Sequence, residues 1–90
     1  MDLGLAGRTA FVGGSSKGIG LAIARALLRE GTKVMISSRN EENLHRAAEE
    51  LEADTGFAPA YVVCDMADHD SIKAAIAKAA ETFRRLDILV

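Results

Sequence analysis

Apolar positions along this chain fall into two alternating patterns, short unbroken runs and longer stretches at helical spacing. Thr9-Ala10-Phe11-Val12 is an unbroken run that stops at Gly13-Gly14, which predicts a buried strand delivered into a tight turn. From Gly18 to Glu30, the residues Ile19, Ala22, Ile23, Ala26 and Leu27 recur at i, i+3, i+4, i+7 and i+8. That spacing predicts an amphipathic helix, with Gly31 positioned to end it. Val34-Met35-Ile36 reads as a second buried strand, and Ser37-Ser38-Arg39-Asn40 leads out of it. Asn40 is the natural N-cap of a second helix, Glu41 and Glu42 suit its positive end, Leu44, Ala47, Ala48 and Leu51 form its stripe, and Gly56 lies just beyond it. Ala60-Tyr61-Val62-Val63-Cys64 predicts a third strand. Asp68 then caps a helix with the stripe Ile72, Ala75, Ile76, Ala79, Ala80 and Phe83, carrying Glu81 and Arg85 as an i, i+4 pair. Asp87-Ile88-Leu89-Val90 opens a fourth buried strand.

Strands and helices alternate with short connections, and the strands are continuous apolar runs, so the sheet should be parallel with both faces covered. Right-handed crossovers place the strands in the order 3-2-1-4 and leave a crevice at the carboxyl ends of the first and fourth, where a ligand is expected. The expected class is therefore α/β, a partial Rossmann fold of βαβαβαβ pattern in which residues 1–90 form one nucleotide-binding unit, cut off at its fourth strand. The three strand-to-helix turns differ in chemistry, which argues against an internal repeat.

Composition narrows the partners. The formal net charge is -2, basic residues are interspersed with acids, and the aromatics are three phenylalanines and one tyrosine, so neither a nucleic-acid surface nor a base-stacking platform is expected. Cys64 is the single cysteine, which excludes an internal disulfide and suits a reducing, cytoplasmic setting. The chain opens Met1-Asp2-Leu3 without a leader pattern, and Arg25 interrupts the best apolar stretch, so no membrane association is expected.

The candidate chemistry lies in Gly13-Gly14-Ser15-Ser16-Lys17-Gly18-Ile19-Gly20, which joins the first strand to the first helix. A glycine string alone is weak, but one that follows a strand and opens a helix inside a βαβ unit meets the conditions of a dinucleotide fingerprint. Gly14 permits the sharp turn, Gly18 lets the backbone approach a pyrophosphate, and Gly20 lets the helix pack closely on the strand. Free N–H groups and the helix dipole favour the anion there; Ser15 and Ser16 add hydroxyl donors and Lys17 a positive charge. A Walker A loop needs Gly-Lys-Ser/Thr at its end, whereas Lys17 precedes Gly18 and Ile19 follows it.

Sites that prefer NAD place an acid about 20 residues beyond the fingerprint to grip the ribose 2′-hydroxyl. This chain has Ser38 and Arg39 at that point; a guanidinium pairs with a 2′-phosphate and a serine can hydrogen-bond it, so the expected cofactor is NADP(H). Asp65 and Met66 follow the third strand, where the adenine should lie. His45 and His69 have no partners at metal or catalytic spacing and read as surface residues, Cys64 as a small strand hydrophobe. No metal ligand is assigned.

With those motifs in place, the chain resembles the start of the short-chain dehydrogenase/reductase family, in its NADP-preferring branch. Gly14-Ser15-Ser16-Lys17-Gly18-Ile19-Gly20 is similar to the family's TGxxxGIG, with Gly13 in place of the threonine. Ser38-Arg39, Asp65-Met66 and Leu86-Asp87-Ile88-Leu89-Val90 match its ribose, adenine and fourth-strand positions. The resemblance implies a reductase or dehydrogenase moving a hydride between NADP and a carbonyl or alcohol, of the 3-oxoacyl-thioester reductase sort, with a small-molecule substrate and a homo-oligomeric parent protein. The family's catalytic Asn, Ser and Tyr-x-x-x-Lys would follow Val90, so no catalytic residue is assigned and the 90 residues alone are expected to be inactive. The alternative from another class is a non-catalytic NADP-binding module or truncated regulator.

Overall fold

A computed structural model describes residues 7–14, 18–84 and 87–90. Among them the chain forms β1 (Thr9–Val12), α1 (Gly18–Arg29), β2 (Lys33–Ser38), α2 (Glu41–Thr55), β3 (Ala60–Val63), α3 (His69–Phe83) and β4 (Ile88–Leu89). The strands make one sheet in the order β3-β2-β1-β4, with every neighbouring pair parallel. Ala10 lies opposite Val34 and Ile88, and Ser38 lies opposite Val63, so the carboxyl ends of β1, β2 and β3 finish along one edge.

Side chains alternate across this sheet, and each face builds its own core. Ala10, Val12, Val34 and Ile36 pack on Ala24 and Leu28 of α1 and Leu44, Ala47 and Leu51 of α2. Phe11 and Met35 point the other way and meet Cys64 with Ala75 and Ala79 of α3. Because β1 and β2 are covered on both sides, β1 is buried throughout and β2 is buried at every residue after Lys33.

The helix ends follow local chemistry. Asn40 stands at φ −105° and its side-chain oxygen accepts the Asn43 N–H at 3.0 Å, which caps α2. Gly56 closes that helix in the left-handed region at φ 81° and donates its N–H to the Glu52 carbonyl at 2.9 Å. Asp68 caps α3 by accepting from Asp70 and Ser71. At the amino edge, Asp87 ties β4 to β1: its Oδ2 accepts the Thr9 N–H at 2.9 Å, and its own N–H reaches the Thr9 carbonyl at 3.1 Å.

Several expectations need correction. The α1 face turned inward carries Ala24 and Leu28, with Leu21, Ile23 and Leu27 packed beside them, while Ile19 is 81% exposed and Ala22 and Ala26 face solvent. This helix is apolar in nearly every phase, so spacing alone does not choose its face. The choice is made by β1 and by α2, towards which Arg25 extends to meet Asp54 at 2.8 Å and Glu50 at 3.6 Å. In α3 Ala80 is exposed rather than part of the inner stripe. β2 runs on through Ser37 and Ser38, because both pair with β3 and the Ser37 hydroxyl donates to the Val12 carbonyl at 3.3 Å. β3 is not a fully buried run; Tyr61 and Val63 are exposed at the rim of the sheet, where Tyr61 stacks at a tilt against His45. The Arg85 half of the proposed Glu81–Arg85 pair lies outside the described residues.

Candidate functional site: a groove at the carboxyl edge of the sheet

Three loops leave the carboxyl edge side by side, after β1, β2 and β3. Between them lies an open groove of about 400 Å³, lined by Gly14, Ser38, Arg39, Asn40, Asn43, Cys64, Asp65, Met66 and Ala67. A second hollow of about 350 Å³ sits at the opposite, amino edge among Leu28, Val34, Phe57, Ala60 and Phe83, and among the described residues Thr32 and Lys33 are its polar side chains.

The β1–α1 junction supplies the glycine-rich side. Gly14 and Gly18 adopt φ of +58° and +67°, the left-handed region in which a side chain is strained, and a Cβ on either would meet nothing within 4 Å. Among the described residues, packing therefore demands neither glycine. Gly20 sits half-buried in the first turn of α1, and Ile19 stands out at its tip. Ser15, Ser16 and Lys17 lie outside the described residues. The first turn of α1 carries no acid, whereas α2 has Glu41 and Glu42 and α3 has Asp70 in theirs. The positive end of α1 is thus the one without a carboxylate to offset it.

The β2–α2 junction supplies the basic side. Ser38 is buried at the last position of β2, where its hydroxyl accepts the Asn40 N–H at 3.3 Å and its carbonyl accepts the Cys64 N–H at 2.9 Å. With Ser38 and Asn40 held, Arg39 between them is exposed on the rim of the groove, and no ion pair joins it to another described residue.

The loop after β3 supplies the third wall. The Asp65 N–H donates to the Ser71 hydroxyl at 3.0 Å, its carboxylate accepts the Ala67 N–H at 2.9 Å, and its carbonyl accepts the Asp68 N–H at 3.0 Å. Asp65 therefore folds its own loop as well as lining the groove. Met66, 46% exposed, lies next to it.

Gly14, Ser38, Arg39, Asp65 and Met66 are brought together as the sequence suggested. Gly18, Ile19 and Gly20 open the neighbouring helix rather than line the groove itself. Asn40, Asn43, Cys64 and Ala67 were missed as lining residues. Asn43 could have been found, since one helical turn from the cap it must share the capped end; Cys64 could not, because a buried thiol gives no signal beyond hydrophobicity. Among the described residues no group of three or more His, Cys, Asp or Glu side chains is placed to hold a metal, and no helix is long and apolar enough to cross a membrane.

A parallel sheet with helices on both faces and a groove at its carboxyl edge defines a Rossmann-type α/β unit. The family model for short chain dehydrogenase matches residues 8–90, and the chain belongs to that oxidoreductase family. It is 43% identical over 86 residues to the mitochondrial dehydrogenase/reductase SDR family member 2 of Homo sapiens, a match that covers 96% of this chain and 30% of the human protein. Among solved structures it is similar to L-sorbose reductase from Gluconobacter frateurii complexed with NADPH and L-sorbose, with a TM-score of 0.91, 36% identity, and coverage of 99% of this chain and 34% of the other. It is also similar to an NAD+-bound xylitol dehydrogenase, with a TM-score of 0.85, 27% identity, and coverage of 94% of this chain and 32% of the other. The chain thus spans about a third of the length of these proteins.

Proposed function

We propose that residues 1–90 are the NADP(H)-holding part of an oxidoreductase that moves a hydride between the nicotinamide ring and a carbonyl or alcohol carbon. The observation that carries this reading is the pairing of two features at one edge. Gly14 and Gly18, both at positive φ, flank the opening of a helix with no acid in its first turn, and an exposed guanidinium, that of Arg39, lines the groove at the β2–α2 junction. Backbone N–H groups at Gly14, Gly18, Ile19 and Gly20, with the donors of Ser15, Ser16 and Lys17, would hold the diphosphate. Ser38 and Arg39 would hold the ribose 2′-phosphate, and Asp65 and Met66 would border the adenine. The similar proteins include one solved with NADPH and one with NAD+, so the choice of NADP rests on Arg39.

When bound, the reduced dinucleotide would supply a hydride to a carbonyl carbon and the oxidised form would accept one from an alcohol carbon; the residues of this groove bind and orient it, and none is assigned a part in proton transfer. The substrate class we assign is a small carbonyl compound or alcohol, 3-oxoacyl thioesters among them, handled by a cytoplasmic homo-oligomer without nucleic-acid or membrane partners.

The test is Arg39→Asp with both reduced dinucleotides. A charge-assisted hydrogen bond contributes about 1.5 to 3 kcal/mol, and an exposed guanidinium belongs at the lower end, so NADPH affinity should fall about tenfold. NADH affinity should hold or rise, since the new carboxylate can accept from the 2′-hydroxyl. Equal losses for the two would refute the phosphate assignment.

A further inference from the structure

Gly13 differs from its glycine neighbours. It is not among the left-handed glycines, so its backbone could carry any side chain. Space is what it lacks. A Cβ built on Gly13 would lie 2.8 Å from the Met66 methyl carbon and 3.1 Å from its sulfur, well inside the 3.5–4.0 Å at which carbon atoms rest against one another. The Gly13 backbone has little freedom to withdraw, because its N–H donates to the Val90 carbonyl at 3.0 Å, next to the β1–β4 pairing.

Met66 thus leaves the end of β3 and reaches past β2 to rest on the end of β1. Its sulfur is also bracketed from below: the Cys64 thiol, on a residue 1% exposed, points at it from 3.7 Å. One flank of the thioether is held between Gly13 and Cys64, and the other is open to the groove.

We infer that Gly13 and Met66 act as one coupled pair, in which the missing side chain at 13 lets the Met66 thioether close the groove over the end of β1, and that this wall determines how the adenosine half of the dinucleotide sits. The inference rests on the dinucleotide reading above and goes beyond it by assigning the shape of the adenosine end to two residues. Met66 is unbranched and adaptable, so a Cβ at 13 displaces its tip without disturbing the core. The displaced tip then projects into the groove, and the effect appears in ligand affinity rather than in stability. A thioether in its resting position offers a soft, polarizable surface to a flat aromatic ring.

The test is a double-mutant cycle on the protein with Gly13→Ala, Met66→Ala and the pair together. For each, the Kd of NADPH and of adenosine 2′,5′-bisphosphate is measured along with the melting temperature. Gly13→Ala should weaken both ligands at least about threefold with little change in melting temperature, and in the Met66→Ala background the same substitution should cost under about twofold, the non-additivity expected of residues in contact. Effects that simply multiply would overturn the pair, as would a loss confined to NADPH with adenosine 2′,5′-bisphosphate unaffected. If the unsubstituted protein binds neither ligand, the dinucleotide reading falls and this inference falls with it; tight binding with independent effects removes the pair alone.

Discussion

Asp87 holds the amino end of β4 against β1, and its removal gives the sharpest test of how β4 is held. β4 pairs with β1 at Ala10–Ile88 and Phe11–Leu89, and backbone bonds from Asp87 to Thr9, from Val90 to Phe11 and from Gly13 to Val90 continue the contact on either side, so the Asp87 carboxylate adds to a short ladder. The Asp87 carboxylate, 15% exposed, accepts the N–H of Thr9 at 2.9 Å and its hydroxyl at 3.3 Å, and Thr9 itself is 2% exposed. A hydrogen bond to a charged group contributes about 1.5 to 3 kcal/mol, and a buried N–H that loses its acceptor keeps the cost of desolvation. The Arg8 guanidinium stands 3.8 Å from the other carboxylate oxygen but is 53% exposed, so it adds a few tenths of a kcal/mol at most, about what surface ion pairs contribute. Asp87→Ala should therefore lower stability by about 2 to 3 kcal/mol, read as a drop in the urea midpoint with the slope unchanged. Asp87→Asn keeps an acceptor for the Thr9 N–H and should cost about 1 kcal/mol. The reasoning is refuted if Asp87→Ala stays within about 0.5 kcal/mol of the unsubstituted protein, the range of ordinary surface changes.

Two further outcomes follow from backbone geometry. Gly18→Ala places a methyl at φ +67° in open space, so urea unfolding should show a loss of only about 1 kcal/mol, while NADPH affinity should fall at least about tenfold because the methyl would stand where the proposed site receives the diphosphate; an unchanged affinity would contradict the site. Arg84 caps α3 at φ 65° and Gly56 follows α2 at φ 81°. Arg84→Gly should raise stability by about 0.5 to 1 kcal/mol and Gly56→Ala should lower it by about 1 kcal/mol, with opposite shifts of the urea midpoint.

Elements whose own chemistry decides their ends could be read from the sequence. Asn40, Gly56 and Asp68 cap or stop helices with groups that act within a turn or two, and each does so in the structure. Properties set by distant neighbours could not be read. The inner face of α1 is chosen by strands and by α2 in a helix apolar nearly all round. Ser37 and Ser38 look like loop residues until β3 is seen to pair with them. The exposure of Tyr61 and Val63 depends on β3 lying at the rim of the sheet, a matter of strand order rather than local pattern. For the groove, spacing placed Gly14, Arg39 and Asp65 together because strand ends in a parallel sheet converge on one edge. The crossing of Met66 to Gly13 needs side-chain direction, which spacing does not encode.

The central claim is tested most directly by a crystal structure of the protein with NADPH. We expect the diphosphate within about 3.2 Å of backbone nitrogens at the opening of α1, and the 2′-phosphate beside Arg39 at the β2–α2 junction. A diphosphate lodged elsewhere, or a 2′-phosphate turned away from Arg39, would contradict it.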